Sequence, residues 1–172
     1  MTQQRLRDTG YLDLSISFIV MPRLDRGIQL RQRKSKVELF LSTTMKEAHM
    51  KLWLSVAAFS GFLAVVFGAF GAHGLANRAT PEELNAFEIG ARYHMYHALA
   101  LLAVAWLATQ GESALVTAAG WAFVAGIVLF SGSLYVLGIT GSRALVLVTP
   151  MGGVAFMIGW LCLLVRALKI AG

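Results

Sequence analysis

The side chains best suited to bind a metal or pass a proton near neutral pH are the histidines, and four occur: His49, His73, His94 and His97. His49 stands in a charged flank. His73 closes the run F-G-A-F-G-A-H (Phe67 to His73), and His94 and His97 open Y-H-M-Y-H-A-L-A-L (Tyr93 to Leu101). Residues three apart project from adjacent lines of a helix, so His94 and His97 are within reach of a shared ligand. With His73 opposite, three nitrogens meet the donor count of an open zinc or other transition-metal site, and Glu88 is placed to support a ligating ring. Neutral imidazoles there would equally suit a haem or quinone head group, or carry protons. The spacing lacks the specificity of His-Glu-x-x-His or paired Cys-x-x-Cys. A plainer account is an aromatic belt, in which Tyr93, Tyr96 and the histidines keep apolar bodies in lipid and polar tips among head groups. That account leads, so no metal or cofactor is predicted, and the triad His73, His94 and His97 is the alternative.

A second constellation, Phe130-Ser131-Gly132-Ser133-Leu134-Tyr135, offers two hydroxyls and a phenol. A serine nucleophile needs a base within hydrogen-bond reach, and the histidines fall towards one end of the elements described below. Hydrogen bonds between helices from Ser131, Ser133 and Thr149 are the simpler expectation. No catalytic residue is assigned, and the chain is expected not to be an enzyme. Cys162 is the one cysteine and lies in an apolar run, which excludes an intrachain disulfide and suggests an inert thiol.

The elements that must position these residues are dictated by composition. Of 172 residues 57% are hydrophobic and only 14% charged, with a mean hydropathy of +0.65. A soluble domain carries about a quarter charged residues, so a membrane protein is expected. Four uncharged segments are long enough to cross a hydrocarbon core of ~30 Å at 1.5 Å per residue: 52–72, 93–109, 114–140 and 144–165. A cleavable signal peptide is the rival for the first, but its apolar region is usually about 7–15 residues long. The connections at 110–113 and 141–143 are so short that they force antiparallel hairpins. The fold class is therefore all-α, an integral membrane four-helix bundle over residues 45–172. Thr80-Pro81-Glu82-Glu83 marks a helix start, with Thr as N-cap, Pro at the first position and acids in the first turn; a helix from Pro81 either runs on the membrane surface or continues into the 93–109 span. Glu88 and Arg92, four apart on it, are placed to pair.

Small residues at steps of three or four mark the packing faces: Ala57, Gly61, Ala64 and Gly68 in the first span, continued at Ala72, and Ala118, Ala122 and Gly126 in the third. Gly152 and Gly153 add close-approach positions in the fourth, where Thr149-Pro150 should also kink the helix. The same faces suit packing within one chain or self-association. No Asp, Glu, Lys or Arg lies inside a span, and paired broken helices are not evident, which argues against a transporter.

Residues 1–44 have a different character, with eight Lys/Arg and four Asp/Glu, and no sustained helical period. They read as a disordered or weakly structured leader. Ile19 to Gln29 resembles a peptide encoded by dispersed intergenic repeats of some bacterial genomes, which sets the expected start at Met45 or Met50; a cytoplasmic tail touching anionic lipid is the competing reading. Most of the net +6 belongs to this leader, so no nucleic-acid partner is expected; the partners are membrane lipid and other membrane proteins or a second copy. From residue 45 on, the side holding both termini has Lys46, Lys51, Arg166 and Lys169, and the other has Arg78, Arg92 and Arg143, which favours cytoplasmic termini.

Taken in order, G-A-F-G-A-H (Gly68 to His73), the Tyr93/His97 segment, L-F-S-G-S-L-Y (Leu129 to Tyr135) and T-P-M-G-G (Thr149 to Gly153) resemble the YgdD-type small inner-membrane proteins, domain of unknown function 423, related to transmembrane protein 256. The resemblance covers about residues 50–168. It implies a four-helix integral protein of the bacterial inner membrane and brings no activity, substrate or catalytic residue. The leading expectation is thus a structural or interaction component; the alternatives are a metal- or cofactor-binding membrane protein using His73, His94 and His97, and a small-solute permease.

Overall fold

A computed structural model describes residues 11–111 and 113–171, with side-chain surroundings from Arg26 to Lys169. Residues 1–10 of the leader and Glu112 of the second connection lie outside the described residues. The regular structure among the described residues is helical throughout: α1 (Tyr11–Phe70) runs into a π-helical turn (Gly71–Leu75), followed by α2 (Pro81–Thr109) and α3 (Ala114–Gly126). A second π-helical segment (Ile127–Ser131) joins α3 to α4 (Gly132–Thr140), and α5 is Val148–Ala171.

Two compact units are distinguished, Met1–Met45 and Lys46–Gly172. In the first, the expectation of a weakly structured leader is corrected: residues 11–44 are helical, and every residue from 26 to 45 is exposed. Ser42, Thr43 and Thr44 return their hydroxyls to carbonyls three or four residues back, an arrangement local to the helix.

Among the described residues three stretches are long and apolar enough to cross a membrane: Arg26–Leu75, Ala114–Thr140 and Val148–Lys169. The segment 93–109 is not among them. It belongs to α2, which packs against α3, α4 and both π-helical segments. His94 and His97 lower the hydropathy of this stretch, and both face protein, while Leu99, Leu102 and Trp106 of the same helix are exposed. Its start follows the sequence closely: Thr80 caps the Glu83 amide, and the Glu83 carboxylate returns to the Thr80 amide at 2.8 Å, a complete capping box with Pro81 next to it.

The inward face of α1 is Trp53, Ala57, Ser60 and Ala64, continued by Gly71 and Leu75 in the π-helical turn. Trp53 lies against Gly120, where a side chain would collide with the indole, and meets Trp121 edge-on at 5.5 Å. Phe67 stacks on Tyr135 at 4.4 Å between ring centroids. One core cluster joins Trp53, Leu101, Val104, Ala119, Phe123 and Phe156. A smaller one gathers Leu75, Phe87, Ala91 and Tyr135.

Several expectations need correction. Of the first small-residue stripe, Ala57 and Ala64 are buried, but nothing lies within 4 Å of a Cβ placed at Gly61 or Gly68, so those glycines face open space. In α3 the buried face passes through Ala119, Gly120 and Phe123, which leaves Ala118 exposed and Ala122 half-buried. Gly126 and Gly152 do mark close approaches, to the Phe156 ring and the Phe130 backbone, whereas Gly153 has only the Phe130 ring at 4.0 Å. The apolar helix expected from residue 144 begins at Val148, four residues later, after a turn at 144–147. Pro150 therefore falls in the first turn of α5, where its missing N–H has no intrahelical partner to lose, and no kink is required. Among the described residues Glu88 and Arg92 form no ion pair; Lys51 and Glu47 do, at 3.9 Å on the surface.

Candidate functional site

Helix α2 carries both buried histidines. His94 is 4% exposed. Its Nδ1 lies 3.1 Å from the Tyr135 hydroxyl of α4, and its Nε2 3.0 Å from the Ser60 hydroxyl of α1. A neutral imidazole has one donor and one acceptor, so one of these hydroxyls donates to the ring and the other accepts from it. One side chain thereby joins three helices.

His97 faces a different neighbourhood. Its Nδ1–H donates to the Tyr93 carbonyl at 2.8 Å, which fixes the tautomer, and its Nε2 accepts from the Trp160 indole N–H at 3.3 Å. The ring lies flat on Phe156, 3.4 Å between centroids and 7° from parallel, and Phe123 approaches at 5.5 Å. A side chain at Gly126 would strike that Phe156 ring, so the glycine is what lets α3 seat it beneath the histidine. Both nitrogens of each imidazole are in use.

His73 is exposed, on the π-helical turn that ends α1. Among the described residues no group of three or more His, Cys, Asp or Glu is close enough to hold a metal ion. The three imidazoles do not converge: a step of three residues turns side chains about 60° apart, and on a central helix that sends His94 towards α1 and α4 and His97 towards α5. Of the aromatic belt expected here, Tyr93 and Tyr96 remain on the outer surface at 41% and 53% exposure, while His94 and His97 are interior.

The hydroxyl constellation is partly as expected. Ser133 donates to the Phe130 carbonyl at 2.9 Å, so Thr149 donates to Ser133 across the α4–α5 boundary at 2.7 Å. Ser131, the last residue of the π-helical segment, is fully buried, and among the described residues its hydroxyl has no partner. Three residues that touch these imidazoles carry no role in the sequence reading: Ser60 and Phe156, which are buried, and Trp160, which is exposed and reaches His97 with its indole N–H. Ser60 had a usable signal, since it falls on the line of Trp53, Ala57 and Ala64; nothing in the sequence pairs Trp160 with His97.

Apart from the Ser131 hydroxyl, the arrangement is a set of neutral polar side chains that satisfy one another inside a helical body. Comparison with known proteins places it. The profile of a family described as "Protein of unknown function (DUF423)" matches residues 67–153. The chain is 49% identical over 121 residues to UPF0382 membrane protein YwdK of Bacillus subtilis (strain 168), covering 70% of this chain and 98% of that relative. It is 44% identical over 124 residues to UPF0382 membrane protein SAB0533 of Staphylococcus aureus (strain bovine RF122 / ET3-1), covering 72% and 100%. A UPF0382 membrane protein of Haemophilus influenzae (strain ATCC 51907 / DSM 11121 / KW20 / Rd) is 41% identical over 118 residues, covering 68% and 94%. No solved structure matches. Matching bacterial membrane proteins over 94–100% of their length and carrying apolar helices of spanning length, the chain belongs to the DUF423 family, membrane proteins of unknown function.

Proposed function

We propose that the chain is a four-span antiparallel bundle of the bacterial inner membrane, with both termini cytoplasmic, acting as a non-catalytic structural or interaction component. The observation that carries this reading is the use of the interior polar groups: His94 by Ser60 and Tyr135, His97 by Tyr93 and Trp160, Ser133 by Thr149. These bonds join α1, α2, α4 and α5 to one another. In lipid, where the hydrophobic effect cannot drive helices together, packing and such bonds hold a bundle. Groups already satisfied in this way serve cohesion.

As the fourth span, α2 is long enough, since 29 residues rise ~43 Å against a core of ~30 Å. Its histidines face protein, where a polar residue in a span belongs. The short connections on either side of the 114–140 segment favour antiparallel neighbours.

Metal analysis of protein purified in mild detergent tests the role. The expected outcome is no stoichiometric metal in wild type. Metal bound one to one and lost in His73→Ala or His97→Ala would replace this reading with the metal- or cofactor-binding alternative, and selective solute uptake in proteoliposomes would replace it with the permease.

A further inference from the structure

The span-length stretches Arg26–Leu75 and Ala114–Thr140 end beside the start of α2, and a cavity of about 340 Å³ lies among the three ends. Phe70 lines it from α1, Arg78 from the connection that follows, Glu83 from α2, and Ile139, Thr140 and Gly141 from the end of α4. Part of this lining is rich in acceptors. Glu83 Oε2 accepts from the Thr80 amide, but among the described residues Oε1 has no donor. A Cβ at Gly141 would come within 2.7 Å of Oε1, so glycine at this left-handed position leaves the carboxylate its place. Beside it, the Leu137 carbonyl takes the Gly141 amide, and among the described residues no N–H reaches the carbonyls of Gly138, Ile139 and Thr140. A helix C-terminus adds about half a negative charge. Arg78 lines the same cavity, exposed and, among the described residues, without an ion-pair partner.

Two spans leave the hydrocarbon core here, so the cavity stands at the surface of the bilayer. The Glu83 carboxylate reaches back to the Thr80 amide, close in the chain to Arg78, which sets acceptor and guanidinium at one level. Phe70 lies about 7 Å deeper than Leu75, and Ile139 about 3 Å deeper than Gly141. Both are exposed, on the lipid side of the charges. The complementary molecule is a zwitterion carried on an apolar tail. We propose that the cavity holds the head group of a phospholipid with a primary ammonium: its phosphate on the Arg78 guanidinium, its ammonium donating to Glu83 Oε1 and the last carbonyls of α4, and one acyl chain running inward over Phe70 and Ile139. Guanidinium pairs with phosphate through directed, charge-assisted bonds, and a primary ammonium has three N–H donors to share between carboxylate and carbonyls. A two-carbon linker lets phosphate and ammonium lie side by side, as the common level of Arg78 and Glu83 requires. The pose rests on the crossing of α1 and of the 114–140 segment; neither a crossing by α2 nor the direction of insertion enters it.

Native mass spectrometry of the full chain in mild detergent, given equimolar phosphatidylethanolamine, phosphatidylcholine and phosphatidylglycerol, tests this. Phosphatidylethanolamine should be retained about tenfold over the other two, the scale of one charge-assisted hydrogen bond, because a trimethylated ammonium has no N–H and phosphatidylglycerol has no cation. Glu83→Gln should bring phosphatidylethanolamine down to the level of phosphatidylcholine; a glutamine there can still return to the Thr80 amide, so α2 keeps its cap. Arg78→Gln should lower retention of all three lipids. Glu82→Gln and Arg143→Gln, the same charge changes close by in the chain but outside the cavity lining, should leave retention as in wild type. Circular dichroism checks that each variant folds, and either cavity variant decides the matter if the other does not. Equal retention of the three lipids by wild type, or an unchanged preference in Glu83→Gln, overturns the proposal. So does unchanged or higher retention in Arg78→Gln, the latter meaning that the guanidinium itself fills the cavity. Soluble glycerophosphoethanolamine in excess should not displace the lipid; displacement would make the head group alone the ligand and overturn the assignment to a lipid.

Discussion

At the scale of single residues, the interior bonds differ in what their loss should do. Tyr135→Phe keeps the ring that stacks on Phe67 and removes one partner of His94. Hydrogen bonds between membrane helices average about 0.6 kcal/mol and reach about 1.7, so a loss of roughly 1 kcal/mol is expected. His94→Ala leaves two hydroxyls unpaired and a void beside Phe67, and should cost about 2–4 kcal/mol. Reversible unfolding in detergent measures both; equal losses would mean that the imidazole contributes only through Tyr135. Glycines give a sharper contrast. Gly126→Ala drives a methyl into the Phe156 ring under His97 and should cost about 1–3 kcal/mol. Gly61→Ala meets open space and should stabilise α1 by about 0.5–1 kcal/mol through helix propensity. The sequence stripe treats these two glycines alike. Spacing identifies a face but not whether a neighbour reaches it, and Gly61 falls one residue past Ser60, which does face inward.

Among the elements, α2 shows what local chemistry can specify. Thr80, Pro81 and Glu83 are adjacent in sequence and act on each other, so the helix start was legible from residue types alone, and the structure completes it with a reciprocal cap. Thr80→Ala removes one half of that cap and should cost about 1 kcal/mol, read as a lower thermal midpoint; an unchanged midpoint would mean that Glu83 alone holds the turn. The 114–140 segment was legible for a similar reason, because apolar length between two turns fixes both ends. Its internal π-helical segment was not. Ile127 to Ser131 is apolar and regular in sequence, and the i to i+5 bonding there coincides with packing against α2 and α5, distant in the chain. The start of α5 was misplaced because Ala144 to Leu147 is apolar enough to span. Pro150 would kink a helix already under way at 144, but it sits in the first turn of α5. The histidines follow the same division: their helix was evident, but the direction of each ring depended on Ser60, Tyr135 and Trp160, at sequence separations of 34, 41 and 63 residues.

For the molecule as a whole, the arrangement proposed above makes orientation a matter of a few charges. With cytoplasmic termini, residues 76–80 and 141–147 face outward and residues 110–113 face the cytoplasm. Cysteines introduced at exposed Asn77 and Ser142, in a Cys162→Ala background, should react with a membrane-impermeant maleimide in intact cells, and one at Gln110 only after lysis. The reverse pattern would invert the topology, and reaction at all three in intact cells would remove α2 as a span. Counted from residue 45, Lys46, Lys51, Arg166 and Lys169 stand against Arg78, Arg92 and Arg143, an excess of one. Residues 1–44 add eight Lys/Arg to the cytoplasmic side. Lys46→Gln with Lys51→Gln therefore separates the two contributions. In the full chain, the excess survives the loss of two charges, and the labelling pattern should stay as in wild type. In a chain begun at Met45, the same pair leaves two positive charges against three, and Asn77→Cys should lose its labelling in a large share of molecules. Identical behaviour of the two chains would show that the basic leader plays no part in setting orientation, and would leave the direction of insertion to the first hydrophobic helix alone.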